Sequence, residues 1–82
     1  MTVYRSIRIQ LPDRPGSLSA ITASLAAHGV DIVRLDVVSQ EGQSAVDDLY
    51  LGAPSEDALD RAIRGFHSDV TAQPFSELLG DP

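Results

Sequence analysis

The chain has 82 residues, enough for one domain and not for a second core. Its 43% hydrophobic and 22% charged residues are those of a globular chain and exclude a disordered tail. Twelve acids against six bases give a formal net charge of -6, which repels nucleic-acid phosphate and anionic membrane alike.

Residues 3–11 alternate, with Val3, Arg5, Ile7, Ile9 and Leu11 on one face and Tyr4, Ser6, Arg8 and Gln10 on the other. That period predicts a strand with one buried face. Two prolines and a glycine in Leu11-Pro12-Asp13-Arg14-Pro15-Gly16 end it. Leu18, Ile21 and Leu25, with Ala20, Ala23, Ala26 and Ala27, follow at helical spacing. Gly29 suits the left-handed stop of this helix, and His28 sits at its negative end. Val30 to Gln40 reads as a second strand whose Ile32 is out of phase with Leu35 and Val37, which predicts a bulge or cover on both faces. Glu41-Gly42-Gln43 is a hairpin signal. Ser44 to Leu51 gives a third strand, with Ala45, Leu49 and Leu51 in one phase and Val46, Asp48 and Tyr50 in the other, ended by Gly52-Ala53-Pro54. Ser55 is an N-cap for a second helix, with Glu56 and Asp57 in the first turn and an apolar stripe of Leu59, Ala62, Ile63 and Phe66. Val70 to Phe75 is a short last strand whose Pro74 suits an edge. Residues 1–75 are thus expected to form the domain, and residues 76–82 a tail or linker.

The order β-α-β-β-α-β is the split βαβ pattern of the α+β ferredoxin-like sandwich. Two right-handed crossovers place both helices on one face of a four-stranded antiparallel sheet of order 4-1-3-2, with strands 4 and 2 at the edges. Many functions share this architecture, so function has to be argued from a site.

The informative segment is the turn Asp13-Arg14-Pro15-Gly16-Ser17-Leu18, between strand 1 and helix 1. A helix start presents unpaired N–H groups and a partial positive charge, which suit a carboxylate or phosphate. Gly16 lets a ligand approach the backbone, Ser17 adds a hydroxyl, and Asp13 is placed to accept from a ligand ammonium or to cap the helix itself. On the residues alone, an ordinary cap and turn outweighs a binding site.

The run Ile9-Gln10-Leu11-Pro12-Asp13-Arg14-Pro15-Gly16-Ser17-Leu18-Ser19-Ala20-Ile21, followed by Ala26-Ala27-His28-Gly29-Val30-Asp31-Ile32, closely resembles an ACT domain. The strand Val46-Asp47-Asp48-Leu49-Tyr50-Leu51 resembles it too, and the likeness covers about residues 5–75. Its specific part is the pairing of the D/N-R-P-G-x-L turn with G-V-D/N-I at the next strand start. The resemblance implies a regulatory module that binds a small ligand, most often an amino acid, at a homodimer interface. The ligand would lie between the first turn of one subunit and strand 2 of its neighbour, which makes Asp13, Arg14, Pro15, Gly16, Ser17, Leu18, Asp31 and Ile32 the expected ligand-binding residues. Asp13 and Asp31 stand where many amino-acid-binding members have asparagine. A carboxylate accepts but does not donate, so a bound amino acid must turn its carboxylate to the backbone amides of residues 16–18 and its ammonium to Asp13 or Asp31. The alternative is a dimerisation or protein-interaction module that has lost its ligand. A regulated enzyme or a fused domain is the partner either reading expects.

The other candidates have plainer explanations. His28 and His67 lie near helix ends, where imidazolium complements the dipole, and neither has a neighbour at ligand spacing. Asp47 and Asp48 point to opposite faces of one strand, so they do not chelate, and one of them shares a face with apolar neighbours. That one is expected on the open sheet face or in a subunit contact. Arg34 and Asp36 share a face of the edge strand, either as solvated charges or paired reciprocally across a two-fold axis.

All six bases are arginine, at positions 5, 8, 14, 34, 61 and 64, which excludes Schiff-base lysine chemistry and a P-loop lysine. With no cysteine there is no disulfide, thiolate nucleophile or zinc-finger pattern. Without a Ser-His-Asp grouping or metal cluster the chain is not expected to be an enzyme, nor to need a cofactor or metal. Tyr4 and Tyr50 on the open face suggest RNA stacking, but aromatic content is 5% and the net charge is unfavourable. No signal peptide and no apolar run of about 20 residues is seen, so a soluble cytoplasmic protein without membrane association is expected. A chain this small buries a limited core, which favours self-association.

Overall fold

In a computed structural model, which describes residues 2–74, the elements are β1 (Val3–Pro12), α1 (Ser17–Ala27), β2 (Asp31–Glu41), β3 (Ser44–Ala53), α2 (Glu56–Arg64) and β4 (Thr71–Pro74). The strands form one antiparallel sheet of order β2-β3-β1-β4, the expected ferredoxin-like arrangement. Ile7, Ile9 and Leu11 of β1 and Ala45, Leu49, Leu51 and Ala53 of β3 are buried in one core with Ile21 and Leu25 of α1 and Leu59 and Ala62 of α2. These are the alternate strand positions and the helical stripes that the sequence periods pick out.

Local chemistry sets the helix ends. Gly29 has φ +73° and closes α1, with the Val30 N–H reaching the Leu25 carbonyl at 2.9 Å. Ser55 caps α2 by accepting from the Ala58 N–H at 3.0 Å. The helices are tied where the Ser24 hydroxyl donates to the Ala62 carbonyl at 2.8 Å.

The phase break in β2 is a bulge: pairing with β3 shifts between Ile32 and Arg34, and again between Val37 and Ser39. The first shift lets Ile32 and Leu35 both lie opposite core residues, Leu51 and Leu49. Gly52 and Ala53, expected to end β3, continue it, because Gly52 is paired with Tyr4 on one side and Asp31 on the other. The absence of a side chain is used there: a Cβ on Gly52 would lie 3.3 Å from the Tyr4 ring. β4 begins at Thr71 rather than Val70, whose N–H closes a turn onto the His67 carbonyl at 3.0 Å. Phe75 and the expected tail, residues 76–82, lie outside the described residues. On the open face Arg34 stacks 4.0 Å from the centre of the Tyr50 ring and pairs with Asp36 of its own strand at 3.3 Å.

Candidate functional site

Gly16, at φ +91°, takes the N-cap position of α1. Its left-handed backbone turns the chain from the sheet into the helix, and a side chain at this position would be strained. Asp13 does not cap. Its backbone N–H donates to the Gln43 carbonyl at 2.8 Å, and its carboxylate takes no hydrogen bond among the described residues. The turn's amides divide into two groups. Those of Asp13, Arg14 and Ser17 are engaged by the carbonyls of Gln43, Pro12 and Arg14, whereas those of Gly16, Leu18 and Ser19 meet no acceptor among the described residues. Of the expected donors at residues 16–18, those of Gly16 and Leu18 are open and that of Ser17 is engaged, while Ser19 adds a further open amide.

Among the described residues, three hollows border the turn. The smallest, about 140 Å³, lies between the turn, the start of α1 and the sheet, and is lined by Asp13, Ser17, Leu18, Leu35, Val37 and Asp47 among others. A second of about 270 Å³ lies on the other side of Gly16, against His67 and Asp69. A broad one of about 550 Å³ opens beside Gln10, Gln43 and Thr71. Arg14 borders all three, and its guanidinium is held by Asp69 at 2.9 Å. The second carboxylate oxygen of Asp69 lies 3.2 Å from His67 Nδ1, so the α2–β4 connection is tethered to the turn.

Asp47 is the residue the sequence reading left out of the site. It alternates with Ala45, Leu49 and Leu51, so it faces the helices rather than the open face, and it is only 5% exposed. No donor among the described residues reaches its carboxylate. Burial, then Asp13, then Asp48 push its pKa above the ordinary carboxylate range. The signal was present in its phase; what hid it was that the start of α1 covers this part of the sheet.

Asp31 and Ile32 are not brought to the turn within one chain. Asp31 lies opposite Gly52 and Pro12 opposite Ser44, eight residues apart along β3, which at about 3.3 Å per residue is about 26 Å. Asp31 instead borders a hollow of about 330 Å³ with Tyr4, Gly29 and Pro54. Ile32 is half-buried against the core. The two halves of the expected site meet only if a second copy supplies one of them.

The model of the ACT domain family matches residues 5–63. The chain belongs to the ACT domain family. Its fold is similar to the crystal structure of the ACT domain from GTP pyrophosphokinase of Chlorobium tepidum, with TM-score 0.67 and 15% identity, over 89% of this chain and 100% of that one. The solution structure of the same domain gives TM-score 0.64 and 20% identity, over 94% and 90%. A homoserine dehydrogenase from Thiobacillus denitrificans contains a similar segment, with TM-score 0.54 and 25% identity, over 88% of this chain and 17% of that one. No curated protein matches the chain. ACT domains are generally regulatory modules that bind small ligands, and no helix among the described residues is long and apolar enough to cross a membrane.

Proposed function

We propose that this ACT domain binds an amino acid, or a ligand of similar size and charge, at the β1–α1 turn, and uses it to regulate an enzyme fused to it or contacted by it. The observation that carries the reading is the start of α1. The amides of Leu18 and Ser19 meet no acceptor among the described residues, a glycine holds the turn open, and a hollow with a carboxylate of Asp13 on its wall lies alongside. A ligand carboxylate suits the amides and the helix dipole, and an ammonium suits the acids. Asp13, Arg14, Pro15, Gly16, Ser17 and Leu18 form one half of the site, and Asp31 and Ile32 of a second copy form the other. Support for a homodimer comes from β2, an edge strand with Val33, Val37 and Val38 exposed. The role is regulatory rather than catalytic, and the setting is the cytoplasm.

A thermal-shift panel of the twenty amino acids tests this. A ligand at a hundredfold excess over its Kd adds about 2.7 kcal/mol of stability. At least one amino acid is expected to raise the midpoint, and Asp13→Ala and Gly16→Val to abolish the rise. The exposed valines also favour a second reading, a pairing module without a ligand. A flat panel from a chain that remains dimeric at low concentration would establish that reading instead.

A further inference from the structure

Two acids are buried among the described residues, and they are adjacent in the chain. Asp48 faces the open side and is gripped by Arg8, Nε to Oδ1 at 2.7 Å and Nη2 to Oδ2 at 2.9 Å. Asp47 faces the helices, is equally buried, and receives no hydrogen bond among the described residues. A buried carboxylate without a donor is unfavourable and uncommon in a folded chain. This one borders the 140 Å³ hollow, which corresponds to roughly four or five waters of liquid volume. Leu18, Leu35 and Val37 make its walls apolar, while Asp13 and Ser17 contribute oxygens at the turn. The cation on its rim, Arg14, is committed to Asp69.

Resting on the amino-acid reading above, we propose that Asp47 is the residue that recognises the ligand's ammonium, so that the site selects small primary ammonium compounds and rejects ligands that carry only a carboxylate. A hydrated divalent ion does not fit the arrangement. Such ions take six or more oxygens, and the described residues hold no group of three acids or histidines able to bind one. An ammonium has three donors, which the oxygens of Asp47, Asp13 and Ser17 match in number. With the ammonium turned inward, the ligand's carboxylate lies toward the open amides of Leu18 and Ser19. The chain then reads the ammonium itself, and Asp31 of a second copy closes the site without being the main charge partner.

The proton balance follows from the same geometry. Charged groups facing or adjoining Asp47 are Asp13 and Arg14 on the turn and Asp48 on its own strand, while β2 and α1 present only uncharged groups to the hollow. Burial first, and then the neighbouring acids Asp13 and Asp48, hold a proton at Asp47 more tightly than it is held in the unfolded chain. An arriving ammonium displaces that proton to solvent, so affinity rises with pH until Asp47 is ionised in the free protein, and levels off above that.

The test uses the whole chain and the variant Asp47→Asn, titrated with the twenty amino acids, methylammonium and acetate. Wild type is expected to bind at least one amino acid and, more weakly, methylammonium, with affinity rising with pH. Asp47→Asn is expected to remain folded, lose tenfold or more in affinity and lose the pH dependence. Unchanged affinity in the variant, or a wild type that answers acetate but not methylammonium, would overturn the assignment and leave the amino-acid reading standing. A wild type that answers no probe would overturn both. Should the variant fail to fold, the Asp47 carboxyl carbon can be followed by NMR in the wild type. Saturating methylammonium is expected to lower its titration midpoint, and an unmoved midpoint sinks the proposal.

Discussion

Arg8 of β1 and Asp48 of β3 stand directly opposite in the ladder and join by two parallel hydrogen bonds. The planar guanidinium matches the two carboxylate oxygens, which gives the contact direction as well as charge. Its position on the open face lets β3 bury an acid there, while the next residue back, Asp47, is buried on the other face with no such support. Replacing Arg8 by alanine strands the Asp48 carboxylate. The urea midpoint is expected to fall clearly for Arg8→Ala and to stay nearly unchanged for Glu56→Ala, whose partner Arg5 is well exposed.

Asp47 predicts a pH dependence of the opposite sense to that of a salt-bridged acid. Its pKa is raised by the fold, so the native chain holds the proton more tightly than the unfolded chain. The resulting stability is complete below the unfolded value of about 3.9 and is lost as pH rises through the folded value. Asp47→Asn is therefore expected to be more stable than wild type at pH 7, with the gap closing as pH falls toward 4. Paired thermal melts of the ligand-free proteins across that range measure it.

Gly16 offers a clean test of backbone strain. A Cβ there would meet nothing within 4 Å, yet φ is +91°. Gly16→Ala is expected to cost about 1–2 kcal/mol from conformation alone, and Gly16→Asn less, because asparagine tolerates the left-handed region better. Urea unfolding of the three proteins separates these values.

Gly65 makes the reverse case. Its backbone is right-handed helical, but a Cβ would lie 2.6 Å from the Ser24 hydroxyl oxygen. Gly65→Ala is expected to destabilise by about 1–3 kcal/mol through overpacking between α1 and α2. Ser24→Ala in the same chain should restore part of the loss, and a double-mutant cycle reads that coupling directly.

Ser55 carries the N-terminus of α2 through one hydrogen bond to Ala58. Ser55→Ala is expected to cost about 1 kcal/mol, detectable as a lowered thermal midpoint with unchanged ligand response.

Much of this architecture is legible in the chain itself. The alternation of Ile7, Ile9 and Leu11, the glycine stop at Gly29 and the cap at Ser55 are local signals, and each is realised. The phase error between Ile32 and Leu35 announces the first bulge. The second leaves no comparable mark, because Val37 and Val38 are both apolar and either would suit an inward position. Gly52 reads as a breaker until Tyr4 and Asp31 are seen pairing on both sides of it, which is information from distant parts of the chain. The turn is marked by its prolines and glycine. Asp47 carries no such mark, because its burial depends on where α1 begins over the sheet. The grip of Arg8 on Asp48 depends on cross-strand register, which no single segment encodes.

The two bulges also make β2 tolerant of changes in length. Val33 and Val38 are the extra residues, unopposed on β3. Deleting either would straighten the strand and leave every other partner where it is. Deleting Leu35 would instead draw its neighbour Arg34 inward, toward Leu49. The edge strand therefore holds two sites where evolution can shorten the chain by one residue without disturbing the hydrophobic alternation.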